Sequence, residues 1–177
     1  MKKYILLIIA ITLLIFQMVV MATAIDIGNL AIIRPSGSGN PTNVNKGNPA
    51  NASGKITSIE IYAYSTIEDV KVATFYEGEA NVFSTRDYET IGTVLGGAKR
   101  TFTVDLDVQE GDYIGMTISS GYVYQSASGM DGLWYSGSQN IPCTSETFYF
   151  LSGRGISLYG TGTTEEADNV IFFGCNF

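Results

Sequence analysis

Arg100-Thr101-Phe102-Thr103-Val104-Asp105-Leu106-Asp107-Val108 is the stretch that settles the fold class. Phe102, Val104, Leu106 and Val108 recur at every second position, and Thr101, Thr103, Asp105 and Asp107 fill the alternate ones. Successive side chains of an extended chain point to opposite faces, so this run is a strand with one apolar and one polar face. Glu110-Gly111-Asp112 then turns the chain, and residues 113–119 return with Ile114, Met116 and Ile118 on one side. The pair reads as an antiparallel hairpin laid over a core.

The same period of two extends outward in both directions. Residues 25–33, 55–64, 70–77, 82–90, 121–126, 132–135, 146–151, 156–159 and 169–173 read as further strands, with 82–90 polar enough for an edge. In 55–64, Ile59, Ile61 and Ala63 oppose Glu60, Tyr62 and Tyr64. No window after residue 24 carries the i, i+3, i+4, i+7 pattern of an amphipathic helix. Proline is absent from residues 50 to 141, as uninterrupted ladders require. Short strands with one apolar face each predict an all-β, two-sheet antiparallel β-sandwich, with a jelly roll as the expected topology and an immunoglobulin-like order as the alternative.

The first 24 residues are a separate object. Lys2 and Lys3 precede an apolar run over residues 4–21, and Ala22-Thr23-Ala24 supplies a small-x-small cleavage pattern. This is the order of parts in a signal peptide; uncleaved, the run is just long enough to anchor the chain in a membrane. Either way the remaining domain, residues 25–177, is expected outside the cytoplasm, secreted or at the cell surface. No cysteine follows the apolar run, which excludes a bacterial lipoprotein, and the placement of the basic residues argues against a type IV pilin leader.

Composition removes several classes of function. Of the 177 residues, 45% are hydrophobic, so a disordered solvating chain is excluded, and only 15% are charged against the usual quarter. There is no histidine, which excludes Ser-His-Asp triads, Cys-His dyads and imidazole metal sites. The leader holds two of the 10 basic residues and none of the 17 acidic ones, so the domain alone carries a net charge of −9. A grip on nucleic acid by phosphate neutralisation is not expected. Cys143 and Cys175 are the only cysteines. In an exported protein an even pair reads as a disulfide, worth roughly 3–4 kcal/mol for a loop of this length.

Residues 35–54 differ from the rest: fifteen of the twenty are Pro, Gly, Ser or Asn. Gly39-Asn40-Pro41-Thr42-Asn43 recurs as Gly47-Asn48-Pro49-Ala50-Asn51, and each copy should start a turn. The segment reads as a long surface loop, with a binding loop as the alternative. Asn51-Ala52-Ser53 is an N-glycosylation sequon, relevant only in a host that glycosylates.

Two groups of side chains could carry function. Tyr122, Tyr124, Trp134 and Tyr135 fall within one Gly/Ser-rich stretch. Flat rings with a polar edge stack on the apolar faces of sugars, so these four are the candidate ligand-binding residues, the tyrosines ahead of Trp134, whose other reading is a core anchor. The stretch has one acid, Asp131, and no base, which suits a neutral sugar. The acids Asp105, Asp107 and Asp112 cluster around the hairpin and could hold a structural calcium ion, the alternative being solvated charge; no other cofactor is implied. Glu165, Glu166 and Asp168 read as a solvated loop. No pair of carboxylates is marked for glycosidase chemistry, and Gly-x-Ser-x-Gly is absent.

Residues 104–115, Val-Asp-Leu-Asp-Val-Gln-Glu-Gly-Asp-Tyr-Ile-Gly, resemble the hairpin of many extracellular jelly-roll and related sandwich domains. The longer stretch from Asn48 to Gly160, with Asn-Pro-Ala-Asn-Ala-Ser-Gly, Phe-Ser-Thr-Arg-Asp-Tyr and Ile-Pro-Cys-Thr, resembles an uncharacterised domain of phage and environmental prokaryotic proteins. That resemblance implies a fold and carries over no activity and no functional residue. The expectation is a non-catalytic binding module for carbohydrate or for a cell or virion surface. The alternative is a structural subunit of a surface layer, pilus or virion that associates with itself.

Overall fold

A computed structural model describes residues 22–164. The apolar segment 4–21, the acids Glu165, Glu166 and Asp168, the strand expected over 169–173 and Cys175 lie outside these residues, and with them the Cys143–Cys175 pairing. Among the described residues Cys143 has no disulfide partner.

There is no helix among the described residues. The strands are β1 (Ala24–Asn29), β2 (Ser36–Ser38), β3 (Thr42–Asn45), β4 (Gly54–Tyr62), β5 (Ile67–Glu79), β6 (Val82–Val94), β7 (Lys99–Val108), β8 (Tyr113–Thr117), β9 (Val123–Ser136), β10 (Glu146–Thr147), β11 (Tyr149–Ile156) and β12 (Leu158–Thr163). They form two antiparallel sheets consistent with a β-sandwich, one ordered β1-β12-β4-β7 and the other β10-β6-β5-β8-β3-β9-β11, with β2 also paired to β9. The apolar face of β7 meets its expectation, since Val104, Leu106 and Val108 are buried and Phe102 packs against them. They join Ile27, Ile56, Ile59, Ile61, Ile114 and Met116 in the core between the sheets.

The segment 35–54 corrects the reading as a surface loop. It carries β2 and β3, and all four residues of β3 are buried. Strand β3 runs between β8 and β9, so its neighbours on both sides satisfy its backbone, and polar Asn residues can lie inside. Asn45 shows how: its Oδ1 accepts from Ile156 N–H at 2.9 Å and its Nδ2 donates to the Ile156 and Leu158 carbonyls.

The two Asn-Pro copies do different work. In the first, Asn43 Nδ2 donates to the Asn40 carbonyl and closes a turn. In the second, the chain covers the open edge of β1. Gly28 N–H donates to Asn48 O at 2.7 Å and Asn48 Nδ2 to Gly28 O. Asn51 Oδ1 accepts from Asp26 N–H and its Nδ2 donates to Ala24 O. The sequon asparagine is therefore engaged on a sheet edge. At the opposite edge of the same sheet, Glu89 and Asp87 of β6 accept the Asp105 and Asp107 N–H groups of β7. Both edges are thereby blunted against strand addition. Asn51→Ala is expected to lower stability by about 1 kcal/mol, the ordinary net worth of such bonds, in urea denaturation. An unchanged midpoint would show the edge cover to be dispensable.

The larger sheet is buried on both faces at its centre, which the sandwich expectation did not contain. On β5, Val72 and Ala73 are adjacent, point to opposite faces and are both fully buried. The reason lies in residues 146–151. Glu146 and Thr147 pair with Phe83 and Val82 on β6, while Tyr149, Phe150 and Leu151 pair with Tyr135, Trp134 and Leu133 on β9. Only Phe148 separates the two pairings, so one segment joins both margins of the sheet and curls it into a ring. A second core fills that ring: Val44, Ala73, Phe75, Phe83, Trp134, Ile141 and Phe148.

Candidate functional site: a tyrosine quartet beside Arg34

A single backbone bridge builds the site. Ala63, just past β4, pairs with Val123 at the start of β9. Both side chains are fully buried, so alternation turns their neighbours the other way. Tyr62 and Tyr64 on one strand and Tyr122 and Tyr124 on the other thus share a surface. Tyr64 N–H and Ser65 N–H donate to Tyr122 O, and Tyr122 N–H donates to Ser65 Oγ at 3.0 Å, which fixes the register. The Tyr124 ring meets Tyr62 and Tyr64 edge-on at centroid distances of 5.0 and 5.1 Å.

The floor beneath the rings is bare backbone. A Cβ at Gly37 would stand 2.9 Å from Tyr122 Cβ and 3.4 Å from Tyr64 Cγ, and one at Gly39 would stand 2.8 Å from Tyr122 Cε1. Glycine at these two positions is what lets the rings lie against the chain. Tyr64 and Tyr122 remain 53% and 52% exposed, and Tyr62 and Tyr124 are half-buried between them. The result is a contiguous aromatic surface with two open rings.

Ser157 joins this surface to the connection between β1 and β2. Its N–H donates to Tyr124 O, its carbonyl accepts from Tyr62 N–H, and its hydroxyl donates to Ile32 O at 2.6 Å. The same hydroxyl accepts from Arg34 Nε at 2.9 Å. Arg34 further donates to Ser126 Oγ, Met130 Sδ and Leu30 O. Burial pulls its pKa below the ordinary guanidinium value. Leu30, Ile32 and Ile33, on the same connection, are exposed.

Of the residues expected to bind ligand, Tyr122 and Tyr124 come together here. Trp134 does not belong with them. It is 3% exposed inside the ring core, packed on Phe83 at 4.7 Å and Tyr113 at 5.0 Å, and its Nε1 donates to Asn81 Oδ1 at 2.8 Å. Its core role is the correct one, because the curl of the sheet leaves it no open face. Tyr135 lies at the opposite end of β9, tilted against Tyr149 at 5.5 Å, and is no part of the quartet. Nearby, Lys46 Nζ stands 4.8 Å over the Phe150 ring.

The three acids do not converge on a cation site. Asp105 and Asp107 straddle Lys55 Nζ at 3.1 and 2.6 Å, and these contacts hold the ammonium protonated above its usual range. A lysine head thus sits where a calcium ion would be needed. Asp112 is buried and takes Arg86 in a two-pronged pair, Nε to Oδ2 and Nη2 to Oδ1, the latter at 2.9 Å. Among the described residues no group of three acids or cysteines could hold a metal ion.

Tyr62 and Tyr64 were not among the expected site residues. Their signal was present as a repeated unit, Tyr62-Ala63-Tyr64 and Tyr122-Val123-Tyr124, each with a small apolar residue between two rings. Arg34 had no such signal, since only folding brings it to β9. No family model matches the chain. No curated protein matches it at a significant level either.

Proposed function

We propose that this is an exported, non-catalytic binding domain of jelly-roll topology whose tyrosine quartet docks carbohydrate. The quartet is the observation that carries the reading. Rings with an apolar face and a polar tip, held open on a glycine floor, suit the alternating apolar faces and hydroxyl edges of sugars. Strand order supports the topology. With β2 and β9 to β11 set aside, the eight remaining strands taken in chain order form sheets 1-8-3-6 and 2-7-4-5, the pairing pattern of a jelly roll, an architecture that lectins use. The leader supports export.

A structural subunit is the competing reading, and exposed Leu30, Ile32 and Ile33 favour it. The covered edges of β1 and β7 oppose assembly by strand addition at the smaller sheet.

A glycan array paired with size-exclusion chromatography, on protein expressed from the full-length chain, separates the two. The expected result is a monomer that retains a glycan. Tyr122→Ala and Tyr124→Ala should each weaken that binding by roughly 1–2 kcal/mol, while Tyr135→Ala leaves it unchanged. Binding indifferent to both quartet substitutions, or self-assembly with no glycan retained, overturns the proposal.

A further inference from the structure

We propose that the glycan held by the quartet carries a carboxylate and that Arg34 receives it; the inference rests on the quartet being a sugar platform. Ser126 lies two residues along β9 from Tyr124, and its hydroxyl oxygen accepts a hydrogen bond from Arg34 Nη1 at 3.3 Å. That spacing puts the guanidinium about 7 Å along the strand from the central ring, by the rise of an extended chain. Ser157 grips Arg34 and the backbone of Tyr62 and Tyr124 together. A sugar chain lying across the quartet therefore brings a neighbouring substituent to the guanidinium.

The second observation is the company Arg34 keeps. Every acceptor around it is neutral: two serine hydroxyls, a carbonyl and a thioether. No carboxylate lies within salt-bridge distance of it among the described residues, although acids outnumber bases 17 to 10 in the chain. Arg86, by contrast, has Asp112, and Lys55 has two aspartates. Neutral acceptors replace only part of the hydration that a half-buried charge has lost, and no counterion supplies the rest. Arginine offers five N–H donors, and the bonds seen here use four, one of them to the weak sulfur acceptor of Met130. The one unused donor is on Nη2, and a planar carboxylate that displaces the weak Met130 contact at Nη1 is held two-pronged across Nη1 and Nη2. The stretch 121–137 contains no base, so the expectation of a neutral sugar came from residues that are only part of the site.

The test measures binding of galacturonate, glucuronate and mannuronate oligomers, each beside its uncharged methyl ester, to protein from the full-length chain. At least one acid form should bind about tenfold or more tightly than its ester, the lower end for a charge-assisted hydrogen bond. That advantage should shrink as ionic strength rises through about 0.1 M. Arg34→Gln should bring acid and ester to equal affinity, and Arg34→Lys should keep part of the difference. Because Arg34 also holds the β1–β2 connection, the ester and salt comparisons on the unaltered protein decide the matter if Arg34→Gln does not fold. Equal binding of acid and ester, an acid preference that survives Arg34→Gln, or tighter binding of a sulfated oligosaccharide than of any uronate overturns the carboxylate assignment while leaving the platform intact. No glycan binding of any kind overturns both.

Discussion

Trp134→Ala is expected to destabilise the domain by about 3–5 kcal/mol, the range for deleting a large buried ring whose cavity cannot collapse. The site predicts little collapse. Trp134 is packed among Phe83, Tyr113 and Phe150 inside a sheet that closes on itself, so no loop can fall inward to fill the void. The variant also removes the indole N–H that Asn81 Oδ1 accepts, a smaller loss because Asn81 is exposed and water takes its place. Trp134→Phe separates the contributions: it keeps most of the ring and should lose only about 1 kcal/mol with the hydrogen bond. Urea denaturation of both variants reads the difference. A loss under 1 kcal/mol for the alanine variant would mean that the ring core does not hold the sheet closed.

Asp112→Ala should cost about 3 kcal/mol for a different reason. The carboxylate is buried at the turn between β7 and β8, where it takes Arg86 in two prongs and also accepts from Gln109 N–H at 2.8 Å. Removing it leaves a partly buried guanidinium without its counterion, and that loss exceeds the net worth of the pair. The contact of Arg86 with the Tyr76 ring, 5.0 Å to its centroid, does not replace a carboxylate. The double variant Arg86→Met with Asp112→Leu should recover much of the loss, because neither member of the new pair is charged. If the double variant is as unstable as Asp112→Ala, the pair contributes specific structure that apolar packing cannot supply.

Much of the fold was legible in local pattern. The alternation at Phe102 to Val108 is buried and exposed as the pleat demands, and the Glu110-Gly111-Asp112 turn does join β7 to β8. Where local reading failed, the cause was a contact far along the chain. Asn43 and Asn45 look like loop residues, and only β8 and β9 on either side make β3 an inner strand. Ala73 alternates onto the same side as Lys71, opposite Val70 and Val72, yet the ring closed at Phe148 buries it. Asp105 and Asp107 look free to bind a cation until β4 brings Lys55 between them.

The candidate site divides along the same line. Tyr122 and Tyr124 are visible in sequence because residues two apart on a strand share a face. Tyr62 and Tyr64 share a face by the same rule, but nothing local says that the two faces are one surface. That follows from the Ala63–Val123 bridge, across a separation of sixty residues. Trp134 is decided later still, by which side of a curled sheet it occupies.

Alternation, turn residues and composition determined that the chain is built of strands, where most of them turn and which chemistries are excluded, because these depend on backbone geometry over a few residues. Pairing across the chain decided which faces are covered, which charges find partners and which rings stand together. Those outcomes depend on burial and hydrogen bonds between segments that only the folded domain brings into contact.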